Sequence, residues 1–214
     1  MIDYALGTIR RAGIKNITII SNQFIGQIAK HVGSGLAGEQ IHYVLEETPQ
    51  GVAKALNLAR PHNENCRLLV YFSDNITTIE LSDHVERFTK HESNPGCLLL
   101  CRDEERPQAF GVAKFDDTGK IIDIVEKPQN PPSNVAIGGI YLYDEQFWSL
   151  VDKCQIEYGD KVSITDVNRK YVEKEQAELL NIGKETWVDC GTPESLLAAS
   201  IMAKEGKLNP NPFK

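Results

Sequence analysis

Nowhere in this chain do apolar residues run long enough to form a membrane-spanning helix. The first residues do not run basic and then apolar either, so a secretory leader is not expected and a cytoplasmic protein is. A basic surplus is missing too. Twenty-three Lys and Arg stand against 30 Asp and Glu, and the formal charge of −7 argues against nucleic acid or an anionic membrane surface as the main partner. There is no C-x-x-C pair and no compact Cys/His spacing, which removes the usual zinc frameworks. Cys66, Cys97, Cys101, Cys154 and Cys190 are odd in number and scattered, as expected of a reduced compartment. The five histidines are dispersed among polar neighbours, where surface positions are expected. No internal repeat or low-complexity segment appears.

What is present is an ordinary globular composition. At 214 residues and 41% hydrophobic, the chain can bury a core as a single domain over 1–214, ending in an extended tail over 206–214. Helical spacing in "DYALGTIRRAGI" is followed by a β-branched "NITIIS", a helical "FIGQIAKHV", a strand in "IHYVLEE" and a helix in "GVAKALNLA". Leu68 to Phe72 read as a strand buried on both faces, the pattern of a parallel sheet, with a helix over Glu80 to Lys90 after it. Strands then dominate, in "GCLLLCR", "FGVAKFD", "IIDIVEK" and "AIGGIYLYD", the middle pair joined by a hairpin-type turn in "FDDTGK". Cys97 and Cys101 share one face of the first of these, as small buried residues. Helices return at Glu145–Asp152, Thr165–Lys174 and Pro193–Glu205, with strands in "ELLNIG" and "TWVDCGT". The alternation implies an α/β fold, a doubly wound sheet with a mixed extension. It opens on a helix and a strand, half of a βαβ unit.

Gly33 to Gly38, "GSGLAG", matches G-x-G-x-x-G letter for letter, but a helix precedes it and a strand follows. A dinucleotide loop needs the reverse order, so that the phosphate meets a helix N-terminus; a helix-to-strand turn is the better reading.

The informative residues are acids at strand ends. Asp74 ends the apolar run "LLVYFSD", and Asp189 ends "TWVD" just before Gly191. Open α/β sheets bind ligands beyond the carboxyl ends of their strands, although either acid could also serve a turn or a helix cap. Glu126 and Lys127 close "IIDIVEK" and read either as a solvated edge or as part of the same site. Two carboxylates meeting at one sheet edge can hold a hard divalent cation, usually Mg2+ bound together with a phosphate substrate. A nearby lysine would neutralise the phosphate as a point charge.

Five stretches in order, "YFSDNI", "FGVAKFD", "IVEKPQNPPSNVAIGGIYLYD", "ITDVNRKY" and "WVDCGTPESLLAAS", resemble those of sugar-1-phosphate nucleotidyltransferases, most of all the glucose-1-phosphate thymidylyltransferase branch. The resemblance covers nearly the whole chain. It implies a Rossmann-like nucleotidyltransferase fold, a mixed central sheet flanked by helices. It implies transfer of a nucleotidyl group, from dTTP by preference, to a sugar 1-phosphate such as glucose 1-phosphate, with release of pyrophosphate. Asp74 and Asp189 would be the Mg2+ pair, Glu126 would bind sugar hydroxyls and Lys127 the sugar phosphate. Gly111, Ile137 and Tyr141 would line the sugar pocket, and Gly51 would make a backbone contact near the nucleoside. No nucleic-acid or membrane partner is implied, and a homo-oligomer is left open.

The resemblance also has gaps. The family carries a first strand and a G-G-x-G-T-R-L loop; Met1 and Ile2 align just after them, at the family's "K-P-M-I". The expectation is a chain shortened at the N-terminus, and at the C-terminus as well, that lacks the first strand. It would keep the sugar and metal half of the site and be a weak or inactive catalyst alone. The rival is a non-catalytic sugar-phosphate-binding or regulatory subunit. In "EYGDKVSITD", Lys161 stands near the place of a family arginine. Glu46 stands where the thymidylyl branch commonly has glutamine, and a carboxylate suits the paired donors of guanine, so a relationship to mannose-1-phosphate guanylyltransferases is a second alternative.

Overall fold

Strand β8 (Val135–Tyr143) is the spine of the molecule, and every residue in it after Val135 is buried. A nine-residue run this apolar requires cover on both faces, and it has it. The computed structural model describes residues 1–90 and 95–208, so His91 and the tail from 209 on lie outside the described residues. Along one edge of β8 runs β5 (Cys97–Asp103), antiparallel from Cys97↔Tyr143 to Asp103↔Val135 with an irregularity between Leu99 and Cys101. Beyond β5 lies β9 (Ala177–Asn181), in parallel register.

The other edge of β8 is shared end to end by two short strands. β3 (Leu68–Tyr71) pairs with Ile140–Tyr143, and β6 (Gly111–Phe115) pairs with Ala136 and Ile137. Between them, opposite Gly138 and Gly139, the edge forks. β6 continues into β7 (Ile121–Glu126) through the expected hairpin, with Gly119 at φ +84° and Asp116 Oδ1 accepting from the Thr118 and Lys120 N–H groups. Two further ladders stand apart from this sheet: β1 (Asn16–Ser21) parallel to β2 (Gln40–Leu45), and β4 (Asn75–Thr77) antiparallel to β10 (Trp187–Asp189).

Alternation in β5 and β8 sends side chains to two cores. Cys97, Leu99, Cys101, Tyr141 and Tyr143 pack under α5 (Phe147–Tyr158) and α6 (Ile164–Glu173), against Phe147, Val151, Val167 and Tyr171. On the opposite face Leu98 and Leu142 meet Phe88 of α4 (Ser82–Lys90), and Leu100 and Ile140 meet Trp187. Burial pushes the Cys101 thiol up to about 12, consistent with an inert core residue. α1 (Ile2–Arg11), α2 (Ile25–Val32) and α3 (Val52–Asn63) serve the β1–β2 side, and α7 (Pro193–Lys204) follows β10 behind a Thr192–Ser195 capping box. Among the described residues no helix is long and apolar enough to cross a membrane.

The α/β class, the mixed sheet and the flanking helices follow the sequence reading; two details do not. β3 is not a strand of a parallel sheet buried on both faces. It pairs antiparallel with β8, and of its residues only Val70 is buried. An apolar run carries no information about the direction of its neighbours. Nor do β1 and β2 join the main sheet as a doubly wound arrangement would have them, for among the described strands they pair only with each other. Leu208, inside the segment expected as a tail, is buried with Ile76, Cys190 and Ala199.

The fork has a steric basis that can be tested. A β-carbon on Gly138 would lie 2.9 Å from Trp187 Cζ2 and 3.1 Å from Cη2. Gly138→Ala is expected to displace the indole and to cost about 1–3 kcal/mol, as overpacking of a filled core does. Urea unfolding and the near-UV dichroism of the tryptophans check this; an unchanged midpoint and spectrum would contradict it.

Candidate active site

The fork opens into a cleft of about 450 Å³. Its walls are the first turn of α3 with Gln50 and Gly51, the ends of β6 and β7, Ile137–Gly139 and Tyr141 of β8, residues 161–165 with Asn168, and Trp187 and Asp189 of β10. Of the residues proposed from sequence, Gly51, Gly111, Glu126, Lys127, Ile137, Tyr141 and Asp189 line it. Asp74 lies beside it and Glu46 does not line it.

The two strand-end acids are neighbours. Asp189 pairs with Asn75 across the β4–β10 ladder, and the Cys190 N–H donates to the Asp74 carbonyl at 2.8 Å. Asp74 Oδ1 accepts from Asn75 Nδ2 at 2.8 Å, and Asp189 Oδ1 accepts from the Gly191 N–H at 2.9 Å. Burial raises the Cys190 thiol pKa, and the charges of Asp189 and then Asp74 add to it, so both carboxylates act on one point. Among the described residues neither acid is ion-paired to a lysine or arginine.

Each acid therefore keeps an oxygen for a ligand, and this donor set fits a hard cation. No group of three or more His, Cys, Asp or Glu converges anywhere among the described residues. A cation here would complete its shell with water and substrate oxygens, as Mg2+ commonly does.

Across the cleft Glu126 ends β7, and its Oε2 accepts from Thr165 Oγ1 at 2.6 Å. A β-carbon on Gly111 would sit 3.4 Å from that same oxygen, in van der Waals contact with it, so the two residues share one wall of the cleft. Lys127 has φ +43°, rare for a side-chain-bearing residue, and its N–H donates to the Phe110 carbonyl at 2.9 Å. Its Nζ is exposed, 3.9 Å from Glu126 Oε1. Tyr141 is buried, and burial, followed by the charges of Glu126 and Asp74, pushes its phenol pKa well up; it stays neutral, part of the cleft wall rather than an acid. At the opposite end, Gly51 begins α3 with φ +98°, and the first-turn N–H groups of that helix point outward from the helix end.

Glu46 follows β2 and accepts from the Gln50 N–H at 3.3 Å through Oε1. It braces the loop that reaches the cleft instead of lining the cleft itself. Lys161 does line it. Sequence reasoning missed Asn75, Thr165, Asn168 and Trp187. Asn168 is buried, with its oxygen taken by the Tyr143 hydroxyl at 2.6 Å, which leaves its amide nitrogen for the cleft. Thr165 and Asn168 sit inside the quoted "ITDVN", three residues apart on one helix face; that spacing was the available signal.

The sequence and the fold both have known relatives. The sequence model of the Nucleotidyl transferase family matches residues 1–205. The low-salt glycan biosynthesis nucleotidyltransferase Agl11 of Haloferax volcanii is 29% identical over 209 residues, 97% of this chain; the chain spans 58% of that protein's length. A glucose-1-phosphate thymidylyltransferase of Xanthomonas campestris pv. campestris is 32% identical over 204 residues, covering 94% of this chain and 68% of the relative. The crystal structure of a candidate glucose-1-phosphate thymidylyltransferase from Bacillus anthracis, in complex with sucrose, superposes with a TM-score of 0.87 at 31% identity, over 95% of this chain and 82% of that one. A UDP-glucose pyrophosphorylase complexed with UDP-glucose shares the fold at a TM-score of 0.80 and 18% identity, over 96% and 86% of the two chains. With the family's pattern matched from end to end of the described fold, the chain belongs to the nucleotidyl transferase family.

Proposed function

We propose that the cleft binds a sugar 1-phosphate beside a nucleoside triphosphate and serves transfer of the nucleotidyl group between them, with glucose 1-phosphate and dTTP as the preferred pair. The observation that carries this reading is that Asp189 ends a short ladder which Asp74 directly precedes, tied to it by the Cys190 N–H, beside a cleft whose lining also holds Glu126 and Lys127. A phosphate oxygen of the sugar phosphate attacks the α-phosphorus; the bond from that phosphorus to the β-phosphate oxygen breaks, and pyrophosphate leaves. Mg2+ on the acid pair supplies charge neutralisation at the phosphates when it is bound.

The chain's own residues orient the reactants. Glu126, steadied by Thr165, accepts from sugar hydroxyls, and Gly111, Ile137 and Tyr141 shape the wall around the ring. Lys127 and Lys161 place positive charge in the cleft of a protein with net charge −7, where two anionic reactants would otherwise repel each other and the protein. Gly51 and the first turn of α3 offer backbone N–H groups to the nucleotide side. Relatives named for glucose-1-phosphate thymidylyltransferase support the choice of substrates.

Titration calorimetry with glucose 1-phosphate tests the binding half directly. Glu126→Gln and Lys127→Ala are each expected to weaken binding by about tenfold or more, the usual worth of a charge-assisted contact. Lys127→Ala should leave any affinity for free glucose unchanged. No heat with glucose 1-phosphate at millimolar concentration would overturn the reading. Turnover is followed as nucleotide-sugar formation from glucose 1-phosphate or mannose 1-phosphate with dTTP, UTP and GTP. Binding of glucose 1-phosphate with no turnover would favour the sugar-phosphate-binding subunit instead.

Glu46 bears on the nucleotide. Because Glu46 lies outside the cleft lining and its Oε1 accepts from the Gln50 N–H, Glu46→Gln is expected to leave the order of nucleotide preference unchanged. A switch from GTP in the parent to dTTP in the variant would instead establish the guanylyl relationship.

A further inference from the structure

Asn75 is 2% exposed, yet each polar atom of its carboxamide has a partner. Oδ1 accepts from Trp187 Nε1 at 2.7 Å and from the Gly139 N–H at 3.1 Å, while Nδ2 donates to Asp74 Oδ1 at 2.8 Å. Chemistry allows no other orientation. Flipped, the amide nitrogen would face two N–H donors and the amide oxygen would face a carboxylate, three repulsive contacts in a buried site. The backbone of Asn75 meanwhile pairs with Asp189. One residue thus touches both acids, Asp74 by its side chain and Asp189 by its main chain.

The partner of Asn75 is itself held. The Arg102 guanidinium lies 4.5 Å above the Trp187 ring and donates to the Trp187 carbonyl through Nη1. Glu104 Oε2 accepts from Arg102 Nε at 3.1 Å, and the missing β-carbon of Gly138 lets the indole lie against β8. From these contacts we infer that Asn75 is a positioning residue for the acid pair: its locked carboxamide occupies Asp74 Oδ1 and so sets the rotation of that carboxylate, leaving Oδ2 for the cation. The inference rests on the proposed reading of Asp74 and Asp189 as a cation site.

A double-mutant cycle on Mn2+ binding by the full chain, read by water-proton relaxation without substrate or turnover, tests it. The variants are Asn75→Ala, Asp74→Asn and the two together, with thermal melting recorded for each. Asn75→Ala is expected to weaken Mn2+ binding about tenfold, the usual scale for loss of a partner that orients a metal ligand. In the Asp74→Asn background the same change should cost less than about twofold, because the residue acts through the carboxylate already removed.

Trp187→Phe keeps the carboxamide but removes one of its two locks. It is expected to weaken Mn2+ binding a few-fold in the parent and not in Asp74→Asn, and it carries the cycle if Asn75→Ala does not fold. Parental Mn2+ affinity in either variant, or equal losses in both backgrounds, would overturn the inference. If Asp74→Asn binds Mn2+ as the parent does, the cation assignment falls and this inference with it. If Asp74→Asn is impaired and the cycle shows no coupling, the inference alone falls.

Discussion

The candidate site depends on two missing β-carbons in the middle of β8. A side chain at Gly138 would run into the Trp187 indole, and one at Gly139 would lie 2.7 Å from Phe72 and 2.9 Å from Asn75 Nδ2. Glycine in a strand interior forfeits packing and chain entropy, so its presence at two successive buried positions calls for a close approach that needs the room. That approach is the β4–β10 ladder, which comes against β8 where β3 has ended and β6 has not begun. The Phe72 N–H donates to the Gly139 carbonyl at 2.8 Å, and Asn75 takes the Gly139 N–H, so the forked edge keeps its backbone groups satisfied. The same two contacts, at Phe72 and Asn75, hold the segment that carries Asp74 beside the cleft.

How much of this was legible in the sequence depended on the range of the interactions involved. Elements with long periodic or apolar patterns, such as β5, β8 and α6, were readable because their signal is local: unbroken apolar runs in the strands and helical spacing in the helix. The strand-end acids were readable because each closes an apolar run. β4 and β10 were not readable as a ladder, since three-residue strands carry almost no period of their own and exist only through each other. Asn75 was hidden for the same reason. Beside Asp74 it looks like a turn residue, and its three partners, Trp187, Gly139 and Asp74, come from three separate parts of the chain. The family resemblance supplied only the proposed roles of Glu126, Gly111 and Tyr141; their place in one cleft came from the fold.

Electrostatics separates the two sides of the cleft. The acid pair and Glu126 give it negative ends, and Lys127 and Lys161 stand on the lining with their ammonium groups exposed. Many of the other basic side chains are already committed: Arg10 to Glu39, Arg60 to Asp152, Arg67 to Glu145 and Arg169 to Asp123. The acidic surface repels anions generally, so an anionic ligand is drawn to the cleft only by local charge and by whatever cation the acids hold.

Lys127 illustrates how the fold places such a charge. Its backbone sits at φ +43°, a conformation that costs a β-carbon-bearing residue energy and survives only when its surroundings enforce it. Here the enforcement is visible: the Lys127 N–H is held by the Phe110 carbonyl, one residue before Gly111 opens β6, while Pro128 follows buried. Glu126 is thereby kept as the last residue of β7, with its carboxylate against Thr165, and the chain turns sharply so that the next side chain leaves the sheet and enters solvent at the cleft. An ordinary strand continuation would have put Lys127 on the face opposite Glu126, since successive residues of a strand point to opposite sides. The strained residue instead sets an acid and a base side by side on one wall, an arrangement that regular β-structure cannot produce from adjacent positions.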